Sequence, residues 1–184
     1  MVRNPYTLFV SHYQFRWWAT HPPFSTDVLA EKFPNFPDLS IDEFVDFCTL
    51  RAAHEPLGAR LADLGVGDLS RFFINLFYEE PAAVFQALDE DTISSGQLLD
   101  RMPSITFLRQ ERLVEELIRF LARHGYSERE LQHVATRERA NVTRGHGGND
   151  ATLLTPKVLS HVRDRERVLL ALLAGVGIDY QAPS

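Results

Sequence analysis

A carboxylate and an imidazole stand three residues apart in Glu130-Leu131-Gln132-His133. At i and i+3 of a helix both side chains share a face, the spacing by which carboxylate-bridged di-iron bundles hold two of their ligands. Such a centre needs a second pair and further carboxylates from other helices, and the sequence contains no second copy of the motif. His54 and Glu55 are adjacent, so on a helix their side chains diverge by about 100°. Glu130, His133, His54 and Glu55 are the candidate metal ligands of one reading, a metal-dependent helical oxygenase of the non-haem iron type. The competing reading makes them polar residues on the outer faces of amphipathic helices. No serine stands in a G-x-S-x-G context, the lone Cys48 excludes cysteine-ligated zinc, and H-E-x-x-H spacing is missing.

Anion recognition has one candidate, the loop Arg144-Gly145-His146-Gly147-Gly148-Asn149-Asp150. Glycines let backbone N–H groups approach an anion closely, but the loop matches neither the phosphate-binding nor the dinucleotide-binding glycine pattern. The loop reads first as a surface connection between helices, and a function for it would be ordering on a partner rather than catalysis. Arg137, Arg139, Arg144, Arg163, Arg165 and Arg167 flank or belong to this stretch. Arg163 and Arg167, four apart, point the same way on a continuous helix. Glu138, Asp164 and Glu166 are interleaved among them, so the set reads either as a docking patch or as a solvated, internally paired face.

The third candidate is apolar. Tyr6, Phe9, Tyr13, Phe15, Trp17 and Trp18 crowd into residues 4–18 and include both tryptophans of the chain. Asn4-Pro5 reads as an N-cap followed by proline at the first helical position. Tyr6, Phe9, Tyr13 and Trp17 then form one stripe, and Leu8, Phe15 and Trp18 a second. A strand is the competing assignment, because aromatic and polar residues alternate from His12 to Trp17. A helix apolar nearly all round must be covered nearly all round. Either the run is a central core helix, or one stripe is kept for a partner, with Tyr13, Trp17 and Trp18 as anchors.

The remaining punctuation predicts helices joined by short connections. Ser25 caps one over Thr26 to Phe33, and Ser40-Ile41-Asp42-Glu43 is a capping box opening another through Phe44, Phe47, Cys48 and Leu50. Pro56 begins a helix with Leu57, Leu61 and Leu64 on one stripe. Asp68 caps Leu69 to Tyr78, whose Phe72, Phe73, Leu76 and Phe77 are assigned to the core. Pro81 opens a helix through Leu88, and a short segment surrounds Leu98 and Leu99. The longest amphipathic stretch starts near Ser104 and closes at Gly125. Ser127 caps a polar helix to about Ala140, and Thr155-Pro156 opens the last, running to Gly175. The expected fold is mainly α, a single-domain bundle of about eight helices over residues 1–184, with a short β-hairpin from Ser104–Leu108 and Asp150–Leu154 as the alternative at those segments.

The chain of 184 residues, 45% hydrophobic and 24% charged, has the make-up of a globular protein able to bury its own core. Its single cysteine suits a reducing cytoplasm, and no apolar run reaches the length of a membrane span. Residues 1–100 carry 6 basic and 15 acidic side chains, residues 101–184 carry 13 and 10. That balance argues against a nucleic-acid partner, which needs a strongly basic face.

The opening segment Asn4-Pro5…Phe9…His12-Tyr13…Trp17-Trp18…His21-Pro22-Pro23, on a helical chain of this length, resembles the small partner subunit of the methanobactin-biosynthesis iron oxidase. The resemblance implies a protein without an active site or cofactor of its own. Such a subunit pairs with an iron enzyme and helps present a precursor peptide, the iron belonging to the partner. The expected function is thus a non-catalytic helical partner protein, binding another protein or a peptide through Tyr13, Trp17 and Trp18, with Arg144, Arg163 and Arg167 as a second patch.

Overall fold

A computed structural model describes residues 1–55, 57–136 and 150–183. They form helices and no strand, as the capping signals require; the only ladder contact among them is an isolated parallel bridge between Val2 and Arg109. The alternative hairpin is therefore not formed. The helices are also shorter and more numerous than eight, because three expected long helices are interrupted or begin late.

The chain divides into two compact units. The smaller contains Met1–Asn4 and the described residues from Ile105 to Thr136. The larger contains Pro5–Ser104 and the described residues from Asp150 onward.

In the larger unit, α1 (Pro5–Phe15) begins at its proline and stops before Arg16, and α2 (Trp17–Thr20) restarts at once. Arg16 is left-handed (φ 54°, ψ 32°), a conformation costing an L-residue about 1–2 kcal/mol. Its guanidinium donates to Pro37 O at 2.7 Å and pairs with Asp38 at 2.8 Å. The break resolves the helix-or-strand alternative as two helices, and it separates the tryptophans. Trp18 turns inward to 1% exposure. Its ring meets Phe36, Phe44 and Phe47 at centroid distances of 5.8, 5.5 and 5.9 Å. The expectation that Trp18 anchors a partner is corrected: it is a core residue.

After α3 (Thr26–Lys32), α4 (Ile41–His54) starts on the expected capping box, with Glu43 N donating to Ser40 Oγ and Ser40 N to Glu43 Oε2 at 2.7 Å. Its Phe44, Val45, Phe47 and Cys48 are buried, so Cys48 is the small core residue expected of it, and burial pushes its thiol pKa well up. Then come α5 (Gly58–Asp63), α6 (Asp68–Phe77), α7 (Pro81–Ala87), α8 (Glu90–Ser94) and α9 (Gln97–Asp100). Pro56, expected to open α5, lies outside the described residues.

In the smaller unit, α10 (Leu113–Arg123) starts well after Ser104. A 3₁₀ turn (Gln110–Arg112) directly precedes it, and before that Val2 N donates to Leu108 O at 2.8 Å and Gln110 N to Val2 O at 2.7 Å. Glu116, 9% exposed, accepts from both Arg109 N and Arg109 Nε at 2.6 Å. The next helix, α11 (Glu128–Thr136), opens with Ser127 N and Oγ donating to Glu130.

The last expected helix is two, α12 (Pro156–Arg165) and α13 (Arg167–Gly175), both in the larger unit. They break at Glu166, whose side chain is 1% exposed and withdrawn into the start of α6.

Replacing Trp18 with alanine removes a fully buried indole and is expected to destabilise the protein by about 3–5 kcal/mol. Trp18→Phe keeps a smaller aromatic ring and deletes an indole N–H that has no partner among the described residues, so it should lose less than the alanine variant. Phe15→Ser, at a site 80% exposed, should shift stability by about 0.5 kcal/mol or less. Urea denaturation of the three variants checks this order.

Candidate functional site

The candidate surface assembles around α6. Its first N–H groups are capped by a side chain distant in sequence: Glu166 accepts from Leu69 N at 3.0 Å, Ser70 N at 2.7 Å and Ser70 Oγ at 2.6 Å. Gly67 allows this approach, since a Cβ there would collide with the Glu166 carboxylate and with Arg165 O. Burial raises the Glu166 pKa to about 7, against the opposing hydrogen bonds from Ser70 and Leu69. Asp68, expected to be the cap, is instead the first helical residue and faces outward to Arg51 Nη2 at 2.5 Å.

With the start of α6 pinned, its faces are fixed. Leu69, Ser70, Phe73 and Ile74 are buried, whereas Phe72 and Leu76 are 65% and 59% exposed. Phe72, Asn75 and Leu76 span an arc of about 100° that the protein leaves uncovered. The assignment of Phe72 and Leu76 to the core is corrected: only part of this apolar helix has something to pack against.

Three cavities meet at Asp68. One of about 200 Å³ is chiefly aromatic and is lined by Phe9, His12, Trp17, Phe44 and Phe72. Trp17, half-buried, stacks under the Arg51 guanidinium at 4.7 Å from the ring centroid, a cation–π contact. The second, about 420 Å³, lies beyond the same Arg51–Asp68 pair and is lined by Glu55, Leu57, Arg71, Asn75, Phe85 and Gln86 among others. Arg71, 9% exposed, pairs with Glu55 through Nη1. The third, about 180 Å³, lies against Cys48, Gly67 and His161. The His161 ring packs on Phe9 at 5.0 Å, and burial lowers its pKa to about 4.

Of the anchors and metal ligands expected from sequence, Trp17 and Glu55 line these cavities, and Arg165 of the arginine set lines the third. Tyr13 is half-buried, its ring on Phe44 at 5.6 Å and its hydroxyl donating to Leu39 O at 2.9 Å. Arg163 and Arg167 do not share one helix, because the break at Glu166 falls between them. Arg163 is held by Asp164 at 2.8 Å, and Arg167 by Glu90 at 2.6 Å and Leu64 O at 3.1 Å. Arg144, with Arg137, Glu138, Arg139 and the rest of the glycine loop as far as Asn149, lies outside the described residues.

Glu130 takes two hydrogen bonds from Ser127, and His133 is exposed on α11. His54 is bonded to Leu50 O at 2.8 Å with its ring on Phe24, and Glu55 turns to Arg71. Among the described residues, no group of three or more His, Cys, Asp or Glu side chains is arranged to hold a metal ion. None of their helices is long and apolar enough to cross a membrane. No protein family, curated protein or solved structure matches the chain.

Glu166 and His161 set opposing pH dependences. Glu166, raised from 4.5 to about 7, binds its proton more tightly folded than unfolded, so stability falls as pH rises from about 4.5 to 7. His161, lowered from 6.5 to about 4, is protonated first in the unfolded chain, so stability rises across about 4 to 6.5. Each effect is about 3 kcal/mol, and the two nearly cancel where the windows overlap. Wild-type protein should therefore be nearly flat between about pH 4.5 and 6.5. Glu166→Gln should become more stable as pH rises over that window and His161→Phe less stable, as read from urea midpoints.

Proposed function

We propose that this protein is a non-catalytic binding partner for another protein or a peptide. It engages that partner through the uncovered arc of α6 and the aromatic cavity beside it. The observation that carries the reading is the exposure of Phe72 and Leu76, 65% and 59%, on one side of a helix whose other apolar residues are buried. Large apolar side chains grouped on one face, next to a cavity and a stacked Trp–Arg pair, are what recognition surfaces use as anchors. Trp17 and Arg51 supply that pair at the cavity rim. The proposed residues are thus Trp17, Phe72 and Leu76, with Arg51 orienting the tryptophan; of the anchors expected from sequence, Trp17 is retained.

In the role implied by the resemblance to the methanobactin partner subunit, the same surface would meet an iron-dependent peptide-modifying oxidase or its precursor peptide. The iron would then be the partner enzyme's. A reducing cytoplasmic setting fits the single, buried Cys48.

Co-purification from the native host tests the reading, with wild type and Phe72→Ser/Leu76→Ser compared side by side. Wild type should retain a stoichiometric protein or peptide that the double variant loses, with binding weakened by at least ~2 kcal/mol. The substitutions lie on an exposed face, so the variant should keep wild-type helicity and an unfolding midpoint within about 0.5 kcal/mol in stability. Equal retention by both proteins would refute the assignment of this face.

A further inference from the structure

The 420 Å³ cavity is built differently from the aromatic surface, and it contains an unmet hydrogen-bonding demand. Arg71 is 9% exposed, and its Nη1 is taken by Glu55. Its Nε and Nη2 are buried and have no partner among the described residues. Nε and Nη2 form one edge of the guanidinium, two parallel N–H groups spaced for the two oxygens of a carboxylate or phosphate. Arg51, on the same cavity, gives Nη2 to Asp68, and its buried Nε also lacks a partner. Buried cations left partly unsatisfied are costly, and their persistence beside an open cavity points to a ligand.

We propose that this cavity binds a carboxylate that displaces the side chains now closing off the Nε–Nη2 edge of Arg71 and is held bidentate on that edge, close to Arg51. The lining selects the class. Arg51 and Arg71 are formally balanced by Asp68 and Glu55, so one added negative charge is tolerated where the two of a phosphate would be repelled. Leu57, Leu61 and Phe85 on the same wall favour an acid with an apolar body over a small inorganic ion. The carboxylate arrives either as a free organic acid or as the C-terminal group of a bound peptide. This assignment rests on the Arg71 guanidinium and not on the Phe72 and Leu76 side chains, and it stands whether or not those two dock a partner.

Calorimetric titration with hexanoate, hexanamide, inorganic phosphate, and N-acetyl-Phe-Leu as free acid and as amide tests it. At least one of the two carboxylates should bind more tightly than about 10 mM, while its amide and phosphate do not. Hexanoate binding identifies a free acid as sufficient; binding of the peptide acid alone identifies a peptide terminus. Arg71→Lys keeps the charge but loses the planar edge, and it should weaken binding about tenfold or more. Should that variant unfold, the Arg71 Nε–H resonance of the wild-type protein must shift on addition of the binding acid. Failure of both acids, amide or phosphate binding as tight as the acid, undiminished affinity in Arg71→Lys, or an unmoved Nε–H signal overturns the proposal. Phe72→Ser/Leu76→Ser should bind hexanoate as wild type does, which keeps this outcome separate from that of the docking surface.

Discussion

A single buried carboxylate holds the larger unit in register. Glu166 stands between two helices that would otherwise be one and closes the N-terminus of a third, α6, with three hydrogen bonds. The first N–H groups of a helix have no partners within it and carry its positive pole, so a carboxylate there meets both needs at once. Leu169 N also donates to Ser70 Oγ at 3.3 Å, which ties α13 to the same point. Gly67 has no side chain in the way, and any Cβ would push the cap out. The lock therefore fixes where α6 starts and which of its residues face outward.

That outward set divides in two. On one side of Asp68 the cavity is aromatic, with Trp17 stacked under Arg51; on the other it is polar, with Arg71 and Glu55. The Arg51–Asp68 pair is the wall between them. Because Asp68 is the first residue of α6, the capping carboxylate of Glu166 indirectly positions that wall. The uncovered apolar arc and the unmet guanidinium edge of Arg71 thus lie side by side on one short helix.

The helical class was legible because its signals are local. The Ser40–Glu43 capping box, Pro5, Pro81 and Pro156 all open helices where their chemistry requires. What was not legible depends on residues far apart in sequence. Nothing near Glu166 announces that it will desert its own helix, since its partners are Leu69 and Ser70. The chain at 108–110 is tied instead to Val2 and Glu116. The aromatic run at 5–18 was readable as apolar on several faces, but Arg16 in a left-handed conformation turned Trp18 inward. The rule that an all-round apolar helix must be covered all round applied more tellingly to α6. Leu69, Phe72, Phe73, Ile74, Leu76 and Phe77 surround most of its circumference, and the protein covers only part of it.

The uncovered arc is a consequence of the lock rather than an independent feature. If α6 began one residue later, a rotation of about 100° would carry Phe72 to the place of the buried Arg71 and the buried Phe73 to the exposed place of Phe72. Glu166 prevents that slip, because its carboxylate matches the N–H groups of Leu69 and Ser70 only in the present register. The same register leaves Arg71 at the edge of the arc, with Asn75 Nδ2 donating back to Arg71 O at 2.9 Å and one guanidinium edge unmet. A fold selected for stability alone would cover the arc and satisfy or replace the arginine. Both departures from that standard fall on the same two turns of helix, and both are enforced by a buried acid that itself resists ionisation. The interior arrangement therefore accounts for what α6 leaves exposed.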